Sequence, residues 1–109
     1  MTIKIIPNDT RKPANKLADV ELHFDHGGPL AGLKIVGFAI WRTEAAVPKV
    51  TMPCREFFVN GDRRYQIQVR PIGDALSQQH LVDVILQAYD SFTAAEHDPY
   101  YGHPTPYGR

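Results

Sequence analysis

Four arginines lie within one short segment of the chain and alternate with aromatic residues. The segment spans residues 50–73, and its arginines are Arg55, Arg63, Arg64 and Arg70. Arginine suits phosphate because its planar guanidinium donates two parallel hydrogen bonds. The rings of Phe57, Phe58 and Tyr65, which lie between these arginines, are of the kind that stack on unpaired bases. The segment therefore predicts a nucleic-acid surface; the alternative interpretation is a sheet edge whose solvated arginines prevent aggregation.

A second basic group occurs near the N-terminus, where Arg11, Lys12 and Lys16 surround Pro13. The stretch is polar and follows turn residues at 7–9, so we expect a loop between two strands. We add Arg11 and Lys12 to the predicted phosphate-binding residues, because a loop presents its cations to solvent.

Two further patterns are candidates for a metal site and for a catalytic nucleophile. His23-Phe24-Asp25-His26 carries ligand-type side chains, but zinc needs three or four converging ligands, so we interpret it as a polar strand face. Cys54 would need a base or a positive field to act as a nucleophile, and neighbouring Arg55 points to the other side of a strand. We interpret Cys54 as a packing residue and predict no metal, no cofactor, no catalytic residue and no enzymatic activity.

Apolar periodicity predicts the elements that position these residues. Alternating or apolar runs occur at residues 2–6, 17–24, 30–43, 49–52, 56–59 and 64–70. In the second run Val20, Leu22 and Phe24 share one face, which is typical of a half-buried strand. The run at 30–43 is apolar on both parities, which is typical of a strand buried on both faces, and Gly32 and Gly37 within it indicate a bulge or a close approach. Asn60-Gly61 favours a tight hairpin turn.

One amphipathic helix is predicted after the strands, with Asp74 as its N-cap. Its apolar stripe is formed by Leu81, Val84, Ile85, Ala88, Tyr89 and Phe92. We therefore predict an α+β fold, in which an antiparallel meander sheet of four or five strands precedes one C-terminal helix. This domain covers residues 1–95. Residues 96–109 form a flexible tail rich in Pro, Tyr and Gly, which either docks on a protein partner or has no selected role.

The composition describes a single soluble domain of 109 residues with 43% apolar residues. Its formal net charge is zero, which argues against nucleic-acid binding by bulk charge alone. The charge is uneven, since residues 1–73 hold 11 Lys or Arg and 7 Asp or Glu, whereas residues 74–109 hold 1 and 5. One cysteine and no membrane-length apolar run predict a cytoplasmic protein with no membrane partner.

The order of these motifs resembles the core of the SpoVG family (stage V sporulation protein G). In that family a strand ends in Met-Pro-Ser-Lys-Arg, and a polar turn, a strand ending in His-Pro-Ile and one helix follow. Here Met52-Pro53-Cys54-Arg55 and Arg70-Pro71-Ile72 stand at the corresponding places. The helical run at 80–89 matches in its Asp, its Leu and its Tyr. The resemblance extends over nearly the whole of residues 2–92.

The resemblance implies a small bacterial regulator that binds DNA or RNA as a homodimer. We expect the dimer to bury part of residues 30–41 or to extend the sheet across subunits. Arg55 takes the place of the family's signature Lys, and Glu56 that of its Arg. Residues 77–80 carry no Lys or Arg where the family does. These differences favour an alternative, a protein-interaction module of the same fold that has lost the nucleic-acid surface.

Overall fold

A computed structural model describes residues 1–97 of the chain. Its elements are β1 (Thr2–Pro7), β2 (Lys16–Phe24), β3 (Leu33–Trp41), β4 (Lys49–Thr51), β5 (Cys54–Val59), β6 (Asp62–Ile67) and α1 (Leu76–His97). Strands β1 to β4 form an antiparallel sheet in chain order, and β5 and β6 form a separate antiparallel hairpin. The predicted α+β fold, with a meander sheet followed by one helix, is confirmed. The described residues form six strands, four in the main sheet and two in the separate hairpin.

The core lies between the main sheet and α1. Alternation along β2 is as predicted, with Ala18, Val20 and Leu22 buried beneath the helix. Ile85 of α1 is fully buried against them. Asp74 caps the start of the helix as predicted, since its Oδ1 accepts a hydrogen bond of 3.0 Å from the backbone N of Leu76, the first residue of α1. Glu96 and His97 belong to the helix rather than to the predicted tail, and residues 98–109 lie outside the described residues.

A β-bulge at Val36–Gly37 changes which residues of β3 face the helix. Val20 pairs with Phe38 and Leu22 pairs with Ile35, so β3 holds one extra residue between these pairs. Gly37 has a φ of 104°, a conformation that favours glycine. Because the bulge shifts the alternation, Ile35 packs on the same core as Phe38 and Ile40. On the outer face Ala39 is buried but Val36 is 53% exposed, so within one chain burial on both faces is met only in part, and cover by a second subunit stays a prediction.

The strand path exchanges partners at Met52–Pro53, the two residues that separate β4 from β5. β4 pairs with β3 up to Thr51, whose partner is Ala39. From Pro53 onward the chain pairs with β6 instead, since Gln68 N donates to Pro53 O at 2.8 Å. Within residues 1–97, the β4-side edge of β3 has no strand neighbour before Ala39, and the outer edge of β5 has none at all. The hairpin therefore separates from the main sheet at Met52-Pro53.

Candidate nucleic-acid interface

The β5–β6 hairpin carries three of the predicted arginines. Asn60 and Gly61 form its turn with φ values of 51° and 83°, as the sequence predicts for a two-residue loop. The antiparallel register divides the hairpin into two faces, because opposed residues share a face. We call them the arginine face (Arg55, Phe57, Val59, Asp62, Arg64 and Gln66) and the tyrosine face (Cys54, Glu56, Phe58, Arg63, Tyr65 and Ile67).

The arginine face brings Arg55 and Arg64 together around Phe57. Arg64 is the cross-strand partner of Phe57. The Arg55 Cζ lies 5.9 Å from the centroid of the Phe57 ring, within the range of a cation–π contact. Arg55 Nη2 also donates to Gln66 Oε1 at 3.3 Å. Neither arginine forms an ion pair with another described residue, so both guanidinium groups retain hydrogen-bond donors for a phosphate.

Arg63 lies on the tyrosine face, in β6, because that strand begins at Asp62 rather than at the expected Arg64. Its Nε is 3.0 Å from Glu56 Oε1, so the two side chains form an exposed ion pair. This pairing occupies Glu56, the only acidic residue of the tyrosine face. Arg63 is therefore separated from Arg55 and Arg64 by the thickness of the hairpin, and its charge is offset locally.

The tyrosine face exposes an apolar strip that continues the core. Phe58 is 63% exposed, Tyr65 is 60% exposed and Ile67 is 49% exposed. Side chains two positions apart on a strand share a face, so Met52 and Val69 lie on the same side as these residues. Both pack against the core beneath α1. The core surface thus extends past the beginning of the helix, and none of residues 1–97 covers it along the hairpin. An isolated two-stranded hairpin is only marginally stable in water, so this strip is a candidate contact surface.

The other predicted cations lie away from the arginine face. Arg70 follows β6 and lines a cavity of about 210 Å³ at the beginning of α1, together with Gln78 and Leu81. Arg11 and Lys12 lie in the β1–β2 loop, which is at the same end of the sheet as the β3–β4 connection. From Lys49 the chain runs away from that end towards the hairpin turn at Asn60, a path of up to roughly 35 Å at about 3.3 Å per residue. The six predicted residues therefore do not form one patch.

Arg42 is a cation at the loop end of the sheet that the sequence interpretation missed. Its backbone N donates to Asn15 O at 2.7 Å, which ties the end of β3 to the β1–β2 loop. The predicted meander topology contained the clue, because it places the β1–β2 and β3–β4 connections at one end of the sheet. Arg42 therefore belongs with Arg11 and Lys16 in space although it is far from them in sequence.

The histidine-rich segment forms a polar network on the outer face of the sheet. His23 Nε2 lies 2.9 Å from Glu21 Oε1, and Lys34 Nζ lies 3.2 Å from the same oxygen. Hydrogen bonds from His23 and Lys34 hold the pKa of Glu21 below its ordinary value. Thr2 donates to Asp25, and this hydrogen bond lowers the pKa of Asp25. Within residues 1–97 no three metal-ligating side chains converge.

Comparisons with protein-family models, with curated proteins and with solved structures found no match to this chain. In the described part of the chain, no helix is both long enough and apolar enough to cross a bilayer.

Proposed function

We propose that this chain is a SpoVG-like regulatory protein that binds DNA or RNA as a homodimer, in the cytoplasm and without enzymatic activity. The observation that carries the proposal is that Arg55 and Arg64 flank Phe57 on one face of the hairpin and form no ion pair with any of residues 1–97. Two guanidinium groups can bind successive phosphates of a strand, and the ring between them offers a surface for a base. The single acidic residue of this face, Asp62, lies at the hairpin tip.

The second copy is proposed to cover the tyrosine face. A two-fold axis brings identical surfaces together, so Phe58, Tyr65 and Ile67 of one protomer would meet the same residues of its partner. Burial of this strip continues the core across the dimer and supports a hairpin that is otherwise marginal. The open edge of β5 lies beside the strip and offers unpaired backbone groups to the same partner. The arginine faces remain on the outside of such a dimer.

The nucleic-acid proposal is tested by replacing Arg55 and Arg64 together with Ala. We expect binding of a short labelled single strand to weaken by about tenfold or more at low salt, because each lost charged hydrogen bond costs about 1.5–3 kcal/mol. Fluorescence anisotropy measures the change, and circular dichroism checks the fold. The charge-matched control is Lys4→Ala with Lys34→Ala on the outer face of the main sheet. Equal losses in both double variants would contradict a specific role for the arginine face.

The dimer is tested by Phe58→Asp, which places a charge at the tip end of the exposed strip, opposite Arg63. We expect the wild type to have twice the protomer mass of 12.3 kDa in light scattering at micromolar concentration, and the variant to have the protomer mass. Val47→Asp is the matched control, because Val47 is 60% exposed but lies outside the hairpin. A wild type of 12.3 kDa would rule out the homodimer.

The alternative, a protein-interaction module, has two observations in its favour. The tyrosine face exposes the apolar strip of Phe58, Tyr65 and Ile67, and its one arginine is paired with Glu56, whereas nucleic-acid surfaces are dominated by positive charge. The ion pair between Glu56 and Arg63 further removes one of the predicted phosphate contacts. If a different protein covers this face, the chain would show no salt-dependent binding to DNA or RNA, and Phe58→Asp would abolish binding to that protein.

A further inference from the structure

A basic cleft occupies the loop end of the main sheet, opposite the hairpin. It has a volume of about 490 Å³ and is lined by Asn8, Arg11, Ala14, Lys16, Leu17 and Arg42. We call it the loop cleft. Half of its lining residues are cations. The carboxylates nearest to them in sequence, Asp9, Asp19 and Glu44, do not line it.

The β1–β2 loop that forms one wall is held in place by the side chain of Asn8. Its Nδ2 donates to the carbonyl oxygens of Lys16 at 2.9 Å and Pro13 at 3.3 Å, and its Oδ1 accepts from Thr10 Oγ1 at 2.8 Å. Arg11 lies in this loop with a φ of 60°, a left-handed conformation that is uncommon for residues other than glycine. The position of Arg11 is thus fixed by the loop rather than by a partner for its side chain.

The charges of the loop cleft are only partly offset. Lys16 Nζ pairs with Asp19 and lies 6.0 Å from the centroid of the Trp41 ring. Arg11 and Arg42 form no ion pair within the described part of the chain. Cations that converge on a concave surface concentrate positive potential there and attract an anion. Guanidinium groups match the tetrahedral oxygens of phosphate better than they match a monatomic anion such as chloride.

We propose that the loop cleft binds a phosphate group, carried either by free phosphate or by a phosphate ester, through Arg11 and Arg42 with Lys16 beside them. This site is separate from the arginine face and does not require the proposed nucleic-acid binding. It also gives a binding role to Arg11, which lies too far from the hairpin to contribute to the arginine face.

The test is a titration of the whole chain with inorganic phosphate, followed by the amide NMR signals of Asn8, Arg11 and Arg42. We expect saturable shifts at these residues, which chloride at equal ionic strength does not produce. Arg11→Gln with Arg42→Gln should weaken phosphate binding by at least about tenfold. Arg42→Lys keeps the charge but loses the planar guanidinium with its paired donors. Its affinity for phosphate should lie between that of the double variant and that of the wild type. Lys4→Gln with Lys34→Gln is the charge-matched control and should bind as the wild type does.

Adenosine 5′-monophosphate and adenosine distinguish the sources of the phosphate. Tighter binding of the nucleotide than of inorganic phosphate, with no binding of adenosine, supports a phosphate ester; equal or weaker binding of the nucleotide supports free phosphate. The proposal is overturned if phosphate gives no saturable shift, or if the control variant loses as much affinity as Arg11→Gln with Arg42→Gln. A short single strand that binds through Arg55 and Arg64 while phosphate fails would overturn the loop cleft and leave the proposed function standing.

Discussion

Glu21 shows how single side chains couple this fold to pH. Its carboxylate receives hydrogen bonds from His23 and Lys34 on the outer face of the sheet, and its pKa is lowered for that reason. A lowered pKa in the folded state means that the carboxylate stabilises the fold above the unfolded pKa of about 4.3. That contribution is lost as the pH falls through the folded pKa.

We therefore expect Glu21→Gln to lower the free energy of unfolding at neutral pH and to approach the wild type in acid. Urea denaturation at about pH 7 and about pH 2.5 measures the difference between the two proteins at each pH. Glu44→Gln, in the β3–β4 connection, should match the wild type throughout. A difference that is the same at both pH values would show that the hydrogen bonds to Glu21 do not act through its charge.

Gly37 lies in the β3 bulge and faces Pro53, the residue at which the hairpin separates from the main sheet. A Cβ built at this position would lie 3.0 Å from Pro53 Cβ, and the φ of 104° is strained for any other residue. We expect Gly37→Ala to lower the free energy of unfolding by about 1–3 kcal/mol. Gly27→Ala is the control, since nothing lies within 4 Å of its Cβ position. If both variants denature at the same urea concentration, Pro53 does not pack on Gly37 as described.

At the scale of elements, the helix is held by one deeply buried side chain. Ile85 is fully buried, whereas Leu81 and Tyr89 of the same predicted stripe are half-buried. Ile85→Ala should cost about 2–5 kcal/mol of unfolding free energy, because it removes apolar contact and leaves a cavity. Leu76→Ala, at a position that is 74% exposed, should change stability by less than about 0.5 kcal/mol. Equal denaturation midpoints would mean that the helix is not docked through Ile85.

Elements that depend on local patterns could be predicted from the sequence. The turn at Asn60-Gly61, the buried face of β2 and the helix cap at Asp74 each follow from a few adjacent residues, and each is confirmed. The bulge in β3 was indicated only by glycines, since Gly32 and Gly37 each predict a bulge or a close approach and only Gly37 lies at the bulge. A run that is apolar on both parities fits either a strand buried on both faces or a strand whose alternation shifts, and only the register with β2 separates them.

The arrangement of the candidate site was predictable only in part for a related reason. The residues of the arginine segment were identified, but which arginines share a face depends on strand pairing. Arg63 and Arg64 are adjacent in sequence and therefore point to opposite faces of β6. The chain changes strand partners at Pro53, and apolar alternation does not reveal this change. Alternation shows which face a residue occupies, not which strand lies beside it.

At the scale of the whole molecule, charge divides the surface into a side that attracts phosphate and a side that repels it. The part of the chain from Asp74 to His97 holds four carboxylates and no Lys or Arg. Nucleic acid should therefore approach the hairpin and sheet rather than the helix. A net charge of zero means that binding depends on where cations are placed and not on their total number.

The central claim, that the hairpin binds nucleic acid through its arginines, is tested most directly by the salt dependence of binding. Affinity for a short single strand of DNA or RNA is measured at several salt concentrations for the wild type and for Arg55→Ala with Arg64→Ala. We expect the affinity of the wild type to fall steeply with salt, and the slope of log affinity against log salt to be shallower by roughly 0.7 for each phosphate contact that the variant loses. Absence of binding by the wild type at low salt, or an unchanged slope in a folded variant, would contradict the claim.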